Sequence, residues 1–191
     1  WGAIPILHNS GRRRNADSRG YSVSGRPRGL SPRSSYAAKS RTCPDGLVHE
    51  GSRVWSPDES RIAYFGRQAD AYNIFARAPQ VGSRPELLLK NAARKFPSDW
   101  SHDGKYILYS LDTEATRLDV WGLSVADRRA APILDTVHAE AFATTSPNGK
   151  WVAYQSDQSG RDEVYVQALD GLSNGTKRRW LVSKGGGLPR W

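Results

Sequence analysis

Three serines stand 45 residues apart, Ser56, Ser101 and Ser146, and each is followed two positions later by Asp58, Asp103 or Asn148. A serine beside a carboxylate is raw material for nucleophilic catalysis, but the hydroxyl also needs a base within reach. The four histidines are His8, His49, His102 and His138, and no two share metal-ligand spacing on one element. His102 stands at a turn position where proline is usual in such stretches, and reads as a turn residue. His138 and Glu140 form a lone His-x-Glu pair, which reads as structural or solvent-exposed. Asp58, Asp99, Asp103, Asp112 and Asp157 recur near turn chemistry, where a short carboxylate caps backbone N–H groups before it binds calcium. The run Lys184-Gly185-Gly186-Gly187 lacks the Lys-Ser/Thr and the following helix of a phosphate loop. Cys43 is the single cysteine, so neither an internal disulfide nor a cysteine-based metal site is possible. The sequence therefore nominates no catalytic, cofactor-binding or metal-binding residue and implies no cofactor. Asn174-Gly175-Thr176 has the form of a glycosylation sequon.

The spacing of those serines belongs to a larger pattern. "VWSPDESRIAYFG", "DWSHDGKYILYSL" and "TTSPNGKWVAYQS" align throughout, and Trp191 lies 46 residues after Thr145, where a fourth copy would begin. After each turn comes an apolar run ("RIAYF", "KYILYS", "KWVAYQS") and then a polar loop. A second run follows ("NIFARA", "DVWGLSV", "EVYVQAL"), then a third ("ELLLK", "APILD", "RWLVS"). "KFPSDW" and "EAFATT", ahead of the next turn, supply the remaining strand of each unit. Ser-Pro-Asp-Gly suits a type I turn closed by a left-handed glycine. Gly104 and Gly149 occupy that last position, but Glu59 stands there in the first unit, so its turn is expected to be strained or altered.

Four strands per 45 residues is the pattern of a β-propeller blade. The expected fold is all-β: a partial β-propeller of three four-stranded antiparallel blades and the start of a fourth. The blades are expected at about 46–92, 93–137 and 138–184, with the next starting at 185–191. Face-to-face stacking should bury Ile62, Tyr64, Ile107, Tyr109, Val152 and Tyr154. A content of 18 Gly, 11 Pro, 7 Trp and 8 Tyr agrees with many turns and aromatic-rich strands. Three blades are too few to close a ring, so further blades are expected before and after this segment in a parent protein. The absence of methionine fits an excised segment. Terminal blades that lack neighbours are expected to favour oligomerisation or aggregation.

Charge divides the chain near residue 46. Residues 1–45 carry nine basic and two acidic residues, whereas residues 46–191 carry 19 and 17, so most of the net charge of +9 belongs to the N-terminal segment. That Arg/Ser/Gly-rich segment shows neither strand nor helix periodicity and is expected to be disordered or irregular. Arginine-rich tracts bind nucleic acid through counterion release, but only Tyr21 and Tyr36 lie among these arginines to stack on bases. Nucleic acid is accordingly disfavoured as a partner. No stretch has the length of a transmembrane helix, and Ala3 to Leu7 is too short for a signal-peptide core. Membrane association would come only through another domain.

Residues 52–191 resemble the WD-like repeats of TolB-type β-propellers, carried by "WSPDESRIAY", "WSHDGKYILY" and "SPNGKWVAYQSDQSGRDEVYV". The stretch from Lys95 to Trp191 looks especially like the propeller of bacterial serine/threonine protein kinases. Thr145 for the usual Trp and Glu59 for the turn Gly depart from the repeat. The resemblance implies a non-catalytic platform in a larger bacterial protein, lying in the periplasm or otherwise outside the cytoplasm. Its partner would be a protein or small ligand at the propeller face. The alternative it implies is the gating propeller of a prolyl-oligopeptidase-type peptidase, with the chemistry in a separate α/β domain.

Overall fold

The computed structural model describes residues 52–68, 71–134, 136–169 and 178–191. The expectations for residues 1–45 lie outside them. Twelve strands form three sheets, each with its strands in chain order and every pairing antiparallel. Blade 1 holds β1 (Arg53–Trp55), β2 (Ile62–Gln68), β3 (Ala71–Arg77) and β4 (Glu86–Leu89). Blade 2 holds β5 (Lys95–Trp100), β6 (Tyr106–Thr113), β7 (Arg117–Ser124) and β8 (Ala130–Leu134). Blade 3 holds β9 (Glu140–Thr145), β10 (Trp151–Ser156), β11 (Glu163–Ala168) and β12 (Arg179–Leu181). No helix among the described residues is long and apolar enough to cross a membrane.

Burial follows the position of each sheet. Blade 2 lies between two neighbours, so Ile107 to Leu111 of β6 are buried on both faces and read as a near-continuous apolar run. In β11, buried and half-buried residues alternate strictly. Two interlocked cores result. Ala63, Ile74, Ala76 and Leu88 of blade 1 cluster with Trp100, Ile107, Tyr109, Leu111 and Leu123 of blade 2. Leu108, Val120, Ile133 and Leu134 from the other face of blade 2 meet Ala143, Val152, Tyr154 and Tyr165 of blade 3. Of the six residues expected inside, five are buried; Ile62 is half-buried, at the start of β2.

The repeated turn is the same object three times. Each serine N–H donates to the carbonyl five residues on, and its own carbonyl accepts from the N–H of Glu59, Gly104 or Gly149 at 2.8–2.9 Å. Gly104 and Gly149 take φ of 75° and 68°, and Glu59 takes 59°. The turn in blade 1 therefore keeps its geometry and holds a non-glycine residue in the left-handed region, where Cβ crowds the backbone.

The inner strands fasten blade 2 to blade 3. β5 and β9 each carry a register shift, at Ser98 and at Phe142–Ala143. Ser98 Oγ donates to Ala143 O at 2.7 Å, and Phe142 N donates to Ser110 Oγ at 3.2 Å. Thr145, standing where the repeat has Trp, donates its N–H and its hydroxyl to Asp99 Oδ2 of blade 2, at 2.8 and 2.6 Å. Residues 185–191 form no strand, and the Trp191 indole donates to Thr144 O of β9 at 3.1 Å.

Candidate functional site

The residues that looked most like chemistry are used by the turns. Ser56, Ser101 and Ser146 are buried. Their hydroxyls donate to Asp58, Asp103 and Asn148 at 2.5–2.7 Å and accept the N–H of Arg61, Tyr106 and Trp151 at 2.9–3.0 Å. Each hydroxyl is thus occupied on both sides, as a hairpin lock rather than a nucleophile. Two bonds from Ser56 and Ser60 hold the Asp58 carboxyl down at about 2, the Ser56 bond contributing most. His102 is an exposed turn residue. Asp99 and Asp112 lie in strands, Asp99 bonded to Thr145 as above. Asp157 follows β10 and accepts from Ala139 N at 3.0 Å, with His138 Nδ1 at 3.9 Å. No group of three or more His, Cys, Asp or Glu among the described residues is arranged to hold a metal ion.

Gly171-Leu172-Ser173-Asn174-Gly175 has the Gly-x-Ser-x-Gly pattern and falls between β11 and β12, outside the described residues.

The opposite end of the blades is different. There the β2–β3 hairpin meets the linker 90–94 that leads into blade 2. Lys95 opens β5 and is completely buried. Its ammonium donates to Tyr72 O at 2.6 Å, Asn91 O at 2.9 Å and Ala93 O at 2.6 Å. Three donors meet three carbonyls, so the charge is spread over peptide dipoles without a carboxylate. Burial pushes the amine down to about 8, and it stays protonated at neutral pH. Asn73 and Asn91 tighten the same linker, accepting from Asn91 N at 3.3 Å and Ala93 N at 3.0 Å.

What Lys95 fixes is the backbone under an aromatic and arginine surface. Phe65 is buried, with its ring edge-on to Phe96 at 5.4 Å and tilted to Tyr72 at 6.4 Å. Above them, the exposed Arg94 guanidinium lies 5.6 Å from the ring centroids of both Tyr72 and Phe96. Arg67 lies 5.9 Å from Tyr72. Cation–π attraction to a ring face restrains a guanidinium while leaving N–H donors for a further partner.

Blade 3 places Glu140 at the register position of Lys95, 45 residues on. It too is completely buried. One carboxyl oxygen accepts from the Thr136 hydroxyl; the other, Oε2, has no hydrogen-bond partner among the described residues. Burial pushes this carboxyl up to about 7. Neither Lys95 nor the Arg94 platform was singled out from the sequence. The equal register of Lys95 and Glu140, ionisable residues opening inner strands, was the available signal for the first. Nothing in the spacing links Tyr72 to Arg94.

No family model matches the chain. An uncharacterized protein of Agrobacterium fabrum is 26% identical over 122 residues, which are 61% of this chain and 41% of that protein. A putative TolB from Agrobacterium tumefaciens superposes with a TM-score of 0.55 at 22% identity, over 70% of this chain and 48% of its own. TolB from Acinetobacter baumannii gives 0.60 at 20% identity, over 72% and 33%. The fold is that of a TolB-like β-propeller. The chain spans less than half the length of each of these three proteins.

Proposed function

We propose that this propeller segment is a non-catalytic binding platform within a larger bacterial protein, and that it recognises its partner at the Lys95-anchored end of blades 1 and 2. The observation that supports the reading is the division of labour around Lys95. A buried ammonium immobilises the linker and the Tyr72 backbone, and that rigid base presents Arg94 to solvent on two aromatic rings. Rigid scaffolds carrying exposed loops are suited to recognition. The TolB-like fold fits a place outside the cytoplasm, and a fused kinase or peptidase domain would be the source of any catalysis.

Photo-crosslinking from within the host cell tests the reading. A photoreactive residue at Ala92, beside the platform, should trap one discrete partner, and the same residue at His102, on the opposite end, should not. Identical adduct patterns from both positions would refute it. A partner trapped only with a downstream α/β-hydrolase domain of the same polypeptide would support the peptidase-gate alternative.

A further inference from the structure

We infer that the Arg94 platform recognises carboxylates, and that its partner is an acidic peptide segment of another protein; this rests on the binding-platform reading above and names the partner's chemistry. Three observations carry it. First, Arg94 is exposed, lies over the rings of both Tyr72 and Phe96, and has no carboxylate partner among the described residues. Elsewhere on the described surface arginines near carboxylates pair with them, as Arg61 and Arg128 do with Glu86 and Arg161 does with Glu163. A guanidinium restrained by two ring faces has less rotamer freedom left for ion pairing to remove, and a guanidinium carries paired N–H donors spaced for one carboxylate.

Second, the surrounding charge favours an anion. From Ser52 to Arg94 the chain holds seven basic and four acidic residues, whereas from Lys95 onward it holds twelve of each. The excess positive charge of the propeller body thus lies on the blade that bears the platform, and Lys95 adds a buried cation directly beneath it. Such a field steers an acidic segment toward the site. Third, the aromatic faces are covered by arginines on the solvent side: Arg94 on Tyr72 and Phe96, and Arg67 on Tyr72. Nucleic-acid binders leave ring faces open for bases. Here the rings orient the cation, which matches a carboxylate-bearing chain better than a stacked base.

Fluorescence anisotropy on the full 191-residue chain tests this with three labelled probes: an eight-residue Glu/Asp peptide, its Gln/Asn counterpart, and an eight-nucleotide single-stranded DNA. The acidic peptide should bind saturably and more weakly as salt rises, and the neutral one should not bind. Arg94→Ala should weaken acidic-peptide binding about tenfold, the loss of one charge-assisted bidentate contact. Arg94→Lys should weaken it nearly as much, because an ammonium keeps the charge and loses the fork. The basic segment 1–45 is present in every variant, so the effect of Arg94 is read against a constant background. Thermal melts confirm that the variants remain folded, and Arg128→Ala, at the other end of the blades, serves as the control. Full affinity in Arg94→Ala or Arg94→Lys would overturn the inference, as would an Arg94-dependent preference for the DNA. Failure of all probes, with the Ala92 crosslink intact, would overturn the acidic partner while leaving the platform standing.

Discussion

Glu140 makes the stability of this propeller fall as the solution moves from mildly acidic to neutral. The carboxyl is buried where blades 2 and 3 meet, one oxygen on Thr136 and the other without a partner among the described residues. It faces Arg179 of β12, Asp119 of β7 and Asp157 after β10. Burial is the largest influence and raises its pKa from 4.5 to about 7; the two aspartates push the same way, Thr136 and Arg179 against. Below pH 4.5 folded and unfolded chains both keep the proton, and the native state holds its full advantage. Between 4.5 and about 7 the unfolded chain releases a proton that the folded chain retains, so stability declines with rising pH, and above that window it levels off. At about 1.36 kcal/mol per pH unit, the difference between the two values amounts to about 3 kcal/mol. With a urea dependence of roughly 2 kcal/mol per M, the unfolding midpoint should drop by ~1.5 M across the window. Glu140→Gln keeps the shape and removes the ionisation. The variant should match the parent near pH 4.5 and exceed it by that margin at pH 8. Repeating the pair in a His138→Gln background removes the neighbouring histidine from the comparison. Parallel stability–pH curves for parent and Glu140→Gln would refute the assignment.

Four further outcomes follow from the same geometry. Glu59→Gly should raise stability by about 1 kcal/mol in urea unfolding, because glycine occupies φ near 59° without Cβ crowding. Gly149→Ala should lose about the same amount, since a Cβ there meets nothing within 4 Å and only the backbone resists. Lys95→Met should cost at least about 2 kcal/mol by leaving three carbonyls without their donor. It should also loosen residues 90–94, measured as faster amide hydrogen exchange in the linker than in β6. Thr145→Val should remove about 1–2 kcal/mol with the hydroxyl bond to Asp99, and Asp99→Asn should reduce the effect of that substitution in a double-mutant cycle.

The fold was legible because the repeat is written in residues that the backbone itself requires. Ser-x-Asp/Asn with a left-handed fourth position is a hydrogen-bonded device, and its three copies at a 45-residue interval announce three hairpins. Strand faces could also be assigned, since Tyr109 and Tyr154 sit at matching registers inside the two cores. The Arg94 platform was illegible for a physical reason. Tyr72 and Arg94 belong to different parts of the blade, and they meet only because Lys95 draws the linker onto the start of β3. That contact runs through main-chain carbonyls, which leave no mark on residue identity. Glu59 shows the opposite limit. The sequence located the strain, but only the structure shows that the turn keeps its shape and the residue bears the left-handed conformation.

Lys95 and Glu140 show how far a repeat constrains its members. Both open an inner strand, both are wholly buried, and one repeat length separates them, so the scaffold offers each the same surroundings of strand start and incoming linker. Their states differ because only one of them is matched by main chain. An ammonium carries three donors and no acceptor, and it meets two carbonyls of the linker ahead of blade 2 and one of β3. A carboxylate needs donors, and ahead of blade 3 it finds the hydroxyl of Thr136 on one oxygen alone. In blade 2 the position suits a cation, and Glu140→Lys asks whether that suitability belongs to the repeat or to the linker. If the repeat sets it, a lysine at 140 would find carbonyls of residues 136–139 and the variant would equal or exceed the parent in stability at pH 8. If the particular path of residues 90–94 sets it, the ammonium would lack acceptors, and the variant would fall below Glu140→Gln by the penalty of an unpaired buried charge. The hydrogen bonds favour the second outcome, because the Lys95 carbonyls come from Tyr72 of the preceding blade as well as from the linker. Tight anchorage at the junction of blades 1 and 2 is then a local construction on a common scaffold, placed beneath the surface that carries Arg94.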